Sequence, residues 1–230
     1  MDFLAGEPAA PADRIRSPLL LFSLRAAPSH SAAAPAPHPH LAGIRGKDFV
    51  MVCSDTSAVQ SVVRMKQDED KLVPVDGSKL FAISGEAGDR VNFSEYVIAN
   101  VRLYALRNGA SLTTKAVANY TRGELATALR KSPYNTNLLM AGFDEGTGPA
   151  LYWCDYLATL HHMNICGTGY GSMFVLSLFD KLWRADLTEA DALEMMKKGI
   201  EEVKARLVVA PPKYLIKVID KDGIRTLGDF

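Results

Sequence analysis

Cysteine is scarce in this sequence, tryptophan scarcer still, and neither sign of charge is in excess. The three cysteines, Cys53, Cys154 and Cys166, are an odd number set inside apolar stretches. They exclude a disulfide framework and read as reduced core thiols of a reducing compartment. Lysine plus arginine number 26, aspartate plus glutamate 26, and the formal charge is +0. A nucleic-acid binder needs a basic face for its phosphate contacts, so that class is set aside. No apolar run approaches the ~20 residues of a membrane span, and the longest candidate, 19–24, ends at Arg25. No membrane partner is expected. What remains is a chain of 230 residues, 48% hydrophobic and 23% charged, long enough for one sizeable core.

Residues 44–89 organise the rest. An alternating strand is expected over 49–54, Asp55 closes it, Lys71 follows sixteen residues later, and a short apolar strand over 79–84 ends on Gly85. An aspartate, a lysine and a strand-end glycine are the groups that support an N-terminal nucleophile. A first-residue Thr, Ser or Cys can use its own α-amino group as base, with a lysine nearby and a glycine N–H for the oxyanion. The nucleophile is the missing part: no Thr, Ser or Cys lies over 33–48.

Downstream the pattern alternates between sheets and helix pairs. Segment 58–64 is weakly strand-like. A helix is expected over 90–107, closed by Asn108-Gly109, and a second begins near Ser111 and stops before Ser132-Pro133. Strands over 137–143 and 150–156 read as a hairpin, and 158–166 as a continuation of that sheet. Gly167 to Gly171 read as a turn into a helix over 172–183. Thr188 and Asp191 open a fourth helix, to about Leu207, stopped by Pro211-Pro212, and strands over 214–220 and 224–227 finish the chain. Pattern alone gives mixed α and β. Met195 and Met196 are expected as core filling, and the Phe174, Leu178 and Trp183 side as a subunit contact.

The segments FVMVCSDTSAV, EDKL, GEAGDRVNFSEYV, NYTRGELATALRKSPYNTNLLMAGFDE, GPALYWCDYLATL, GTGYGS and RLVVAPPKYLIKVIDKDG, in that order from Ile44 onward, resemble the β-type subunits of the eukaryotic 20S proteasome. The resemblance implies an α+β fold, the four-layer αββα sandwich of the N-terminal nucleophile (Ntn) hydrolases. It matches Asp55 to the family's conserved Asp, Lys71 to its catalytic Lys, Gly85 to its oxyanion glycine and Thr168 to its active-site Ser. Counting back from Asp55 puts the nucleophile position at Pro39, and the supporting Asp and Ser fall on Leu207 and Ala210. The resemblance therefore implies a non-catalytic member at the fourth place of a seven-membered β ring, in a 28-subunit hetero-oligomeric particle. Its partners would be α subunits and other β subunits, with the third and fifth β positions beside it. Its role would be structural, in ubiquitin-dependent protein degradation in cytoplasm and nucleus, without a cofactor. The rival expectation is an active threonine hydrolase whose first residue arises by processing. In the bland alternative, Lys71 is simply the ion-pair partner of Asp55.

Residues 1–43 stand apart. Seven of the twelve prolines fall in 7–43, with alanine and serine and no apolar period, so a disordered extension is expected there, with the proteasome-type domain over 44–230. A sharper expectation is that 7–43 is a translated intron. Members of the resembled family run from a short Met-acidic-aromatic-Leu-x-Gly segment straight into the first strand, as MDFLAG would if joined to Ile44. Gly6-Glu7 can be encoded with a splice donor and Ala42-Gly43 with an acceptor. Joining does not restore a nucleophile, because that position then falls on Asp2.

Two other constellations read as structural. Cys154, His161, His162 and Cys166 match no common zinc spacing, and strand alternation separates them. Gly167-Thr168-Gly169-Tyr170-Gly171 lacks the ending of a phosphate loop, which leaves a packing turn.

Overall fold

The computed structural model describes residues 40–60 and 63–230. The expectations for Met1 to Pro39 lie outside the described residues. The first element is a strand that local pattern did not announce, β1 (Leu41–Arg45), and it corrects the expected domain boundary: Leu41, Ala42 and Gly43 belong to the fold. Strand β1 is an interior strand of one sheet, paired on one side with β2 (Val50–Asp55) and on the other with β10 (Ile165–Thr168). Its five residues are too few for a period to show, and one of its two partners, β10, comes from far along the chain.

The first sheet has the order β10-β1-β2-β11-β12, with β11 (Tyr214–Asp220) and β12 (Gly223–Asp229). The second has the order β5-β6-β7-β8-β9: Leu72–Pro74, Lys79–Gly85, Thr136–Asp144, Gly148–Cys154 and Leu160–His162. All their pairings are antiparallel. The sequence expectation of one strand over 158–166 is corrected here. The chain makes β9 in the second sheet, then turns through Met163 and Asn164 into β10 of the first, where the Asn164 carbonyl accepts the Arg45 N–H at 2.7 Å. Likewise 58–64 is a separate hairpin, β3 (Ala58–Gln60) with β4 (Val63–Lys66).

Helices α1 (Ala87–Asn108) and α2 (Thr114–Ala128) cover the second sheet, and α3 (Ser172–Leu182) and α4 (Glu189–Arg206) cover the first. Local chemistry sets their ends. Glu86 accepts the Asp89 N–H, Gly109 closes α1 at φ 65°, and Thr188 accepts the Asp191 N–H. Three apolar clusters separate four layers. One, with Phe93, Val97, Leu125 and Leu138, lies under α1 and α2; one, with Met51, Phe179, Met196 and Ile216, lies under α3 and α4; the third, with Leu41, Val52, Leu80 and Leu139, lies between the sheets. Helix, sheet, sheet, helix is the Ntn-hydrolase sandwich. On α3, Leu178 and Trp183 are partly buried against the core, with the Trp183 indole N–H on the Arg45 carbonyl at 2.8 Å, while Met173 is exposed.

Candidate functional site

Strand β2 delivers Asp55 to the end of the first sheet, and the chain then wraps around it. The carboxylate is 3% exposed. One oxygen accepts the His40 backbone N–H at 2.8 Å; the other accepts the Lys71 ammonium at 2.7 Å and the Ser57 N–H at 3.1 Å. Lys71, equally buried, gives a second hydrogen bond to the Ser57 carbonyl at 2.7 Å. Two buried charges cost several kcal/mol each unless paired and hydrogen-bonded, and here each has its partners. Burial pulls the Lys71 amine below its ordinary range, Asp55 pulls it back up, and Arg90, itself paired with Glu69 at 2.8 Å, pulls it down again. Lys71 sits just before β5, and its carbonyl accepts the Ile83 N–H at 3.1 Å, which ties it to the second sheet.

Gly85 ends β6 at φ +124°, and a Cβ there would stand 2.0 Å from the Asn135 carbonyl oxygen. No side chain fits that place. Beside it, the Ser84 and Thr168 hydroxyls meet at 3.0 Å, and Thr168 is opposite Leu41 in the pairing of β10 with β1. Leu41 in turn is opposite Ser54. Asp55, Lys71, Gly85 and Thr168, far apart in sequence, are thus gathered around the start of β1.

Pro39 lies outside the described residues, but its successor His40 is inside them and was not singled out by sequence. Its backbone brackets Asp55: the N–H goes to the carboxylate and the carbonyl accepts the Asp55 N–H at 3.1 Å. Its Nδ1 accepts the Gly171 N–H at 2.9 Å, which requires that nitrogen to be unprotonated. Burial holds the imidazole pKa below its ordinary value, Asp55 opposes this and Lys71 adds to it. Counting sixteen residues back from Asp55 finds Pro39, and the residue after it was the signal available. Leu207 and Ala210 follow α4; neither carries a polar side-chain atom, and Leu207 packs on the core under α3 and α4. Three residues after Ala210 the chain returns to the site, with the Lys213 carbonyl accepting the Thr56 N–H at 3.2 Å.

The zinc-like set does not converge. Cys154 is in the core under α1 and α2, Cys166 between the sheets, and His161 and His162 stand exposed against Trp153 and Tyr152. In the glycine-rich stretch, Gly167 and Thr168 are strand, and a Cβ on Gly167 would stand 2.9 Å from that of Ser172, so close packing accounts for that glycine. A void of about 20 Å³ between β1 and the α3/α4 pair is lined chiefly by side chains such as Val175, Phe179 and Ile200. Chemically the site offers a charge pair and several mid-chain hydroxyls, among them Ser54, Ser57, Ser84 and Thr168. None of those hydroxyls belongs to a residue with a free α-amino group, which an N-terminal nucleophile uses as its base.

This sandwich, with an Asp-Lys pair at the head of its first strand, has its counterpart among known proteins. The family model for proteasome subunits matches residues 41–219, and the chain belongs to that family. It falls on the β side, with similarity to the type-2 β subunits of plants. Proteasome subunit beta type-2-A of Arabidopsis thaliana is 54% identical over 183 residues, 80% of this chain and 90% of the relative. Proteasome subunit beta type-2 of Oryza sativa subsp. japonica is 51% identical over 183 residues, 80% of this chain and 86% of the relative. A probable proteasome subunit beta type-4 of Schizosaccharomyces pombe is 41% identical over 190 residues, 82% and 98% of the two chains. Family membership implies assembly with other proteasome subunits.

Proposed function

We propose that this chain is a non-catalytic β subunit, a structural member of the 20S β ring at its fourth place, flanked by the third and fifth β positions. The observation that carries the proposal is the head of β1. The nucleophile position is a proline, which has neither hydroxyl nor primary amine, and the next backbone N–H is already committed to Asp55. Asp55 and Lys71 neutralise each other in a closed, buried pair, and the places of the supporting Asp and Ser hold Leu207 and Ala210. The pair then serves the fold, locking the start of β1 to β2 and β5. In the ring the subunit walls the chamber in which neighbouring subunits cut, within ubiquitin-dependent degradation in cytoplasm and nucleus. Treating the assembled particle with an epoxyketone directed at N-terminal threonine tests this. Catalytic neighbours are expected to gain the inhibitor's mass and this chain none. A covalent adduct on this chain would establish the rival hydrolase.

A further inference from the structure

Leu4, Ala5 and Gly6 repeat the tripeptide Leu41-Ala42-Gly43 that opens β1, and the family match begins at the second copy, at residue 41. The places that tripeptide fills are demanding. Leu41 is 2% exposed in the core between the sheets. At Gly43 a Cβ would stand 3.1 and 3.2 Å from the Leu151 methyls and 3.2 Å from the Cys166 sulfur, while the strand pairs with Val52 and Cys166 on its two sides. Glycine is the residue that fits there without displacing a packed neighbour. Ile44, next in line, is 0% exposed, and the N–H of Arg45 is bonded to Asn164.

In the intact chain the first copy cannot take that place. Gly6 is followed by Glu7 and Pro8. They would bury a carboxylate in the site of Ile44 and remove the N–H that Arg45 uses. Omitting the 37 residues 7–43 cures both faults at once, because Gly6 then precedes Ile44 and the sequence LAGIR of β1 is restored letter for letter. Because of the repeat, omitting 4–40 gives the same product.

We infer that the chain has a shorter assembled form in which residues 7–43 are spliced out of the transcript and Leu4, Ala5 and Gly6 supply the first three residues of β1. The genetic code allows it: Gly6-Glu7 can be written GGTGAG and Ala42-Gly43 with GCAGG, which would leave one glycine codon spanning the junction. The inference is independent of whether the site cuts. It changes the head of the strand in a defined way. Phe3 takes the place of His40, so the imidazole that accepts the Gly171 N–H is lost, while the backbone N–H to Asp55 is kept. Asp2 takes the place of Pro39.

Tryptic mass spectrometry of the proteasome from the source organism reads the outcome directly. The junction peptide MDFLAGIR is expected, and peptide 17–25 is expected to be absent. Peptide 17–25 at the same abundance as peptides from β2 and α4 of this chain would overturn the inference. A second arm tests the strand itself in chains made with and without residues 7–43. Gly6→Val in the shorter chain is expected to lower its melting temperature as much as Gly43→Val lowers that of the full chain, by several degrees. A shorter chain indifferent to Gly6→Val, beside a full chain damaged by Gly43→Val, would show that residues 4–6 do not form β1.

Discussion

Replacing Lys71 with Met leaves the Asp55 carboxylate in a place it could not occupy alone. Its two other donors are backbone N–H groups of His40 and Ser57, and neither carries a full charge. Breaking a buried pair by removing one partner costs about 3–5 kcal/mol, whereas replacing both with well-packed neutral groups is often close to neutral. Lys71→Met is therefore expected to melt far below the parent, and Asp55→Asn with Lys71→Met to recover much of the loss, in denaturant unfolding of the purified chain. A catalytic role would show no such recovery in activity, so the double variant also separates structure from chemistry. His40 gives the second residue-scale prediction. Its folded pKa lies below the unfolded value of about 6.5, so the unfolded chain binds the proton better. That contribution to stability is complete above the unfolded pKa and is lost as pH falls through and below it, at no more than about 1.4 kcal/mol per pH unit. Melting the parent and His40→Phe between pH 7.5 and 5 should show the steeper fall in the parent; parallel curves would remove His40 from the account. Asp55 and Gly85 were legible in the sequence as the ends of expected strands, and Lys71 through the family resemblance, sixteen residues after Asp55. His40 was not, since its importance comes from Gly171, 131 residues away.

Helices declare themselves through local chemistry, and here the N-cap of α4 and the C-cap of α1 were readable in the sequence. Thr188 with Asp191 and Asn108-Gly109 act within one turn of the chain, so the sequence that carries them is contiguous. The strands not legible in the pattern, β1 and β5, are too short for a period to show, and β1 takes one of its two partners, β10, from far along the chain. The same holds for the step from β9 to β10, where two strands of an apparently continuous run enter different sheets. Helix packing supplies the prediction at this scale. Gly199 lets α4 lie close on α3, and a Cβ there would approach Phe179 and Val175 to 2.9 Å. Helix propensity favours Ala over Gly by roughly 0.5–1 kcal/mol, while overpacking a tight core costs about 1–3 kcal/mol. Packing should win, and Gly199→Ala should lower the melting temperature of the chain despite being a better helix former. A rise would mean that α3 and α4 can slide apart at little cost.

The four layers contain three thiols, and each reports on a different one of the three interfaces. Cys53 lies in the cluster under α3 and α4, Cys154 in the cluster under α1 and α2, and Cys166 between the sheets. All are buried, and burial raises every one of their pKa values, that of Cys154 to about 12. The thiolate is the reactive form, so none should alkylate at neutral pH while its layer is closed. The sheets share one core, and strand β1, the Asp55–Lys71 pair and the Ser84–Thr168 contact bind them at the same end. Opening one interface therefore exposes apolar surface of the next, which argues for a single cooperative unit rather than two separable halves. Pulse alkylation across a denaturant series, read site by site by mass spectrometry, is expected to give one common midpoint for Cys53, Cys154 and Cys166. An early midpoint for Cys154 alone would show that the α1/α2 layer detaches first, and with it that the bonds at the head of β1 do not hold the sandwich together.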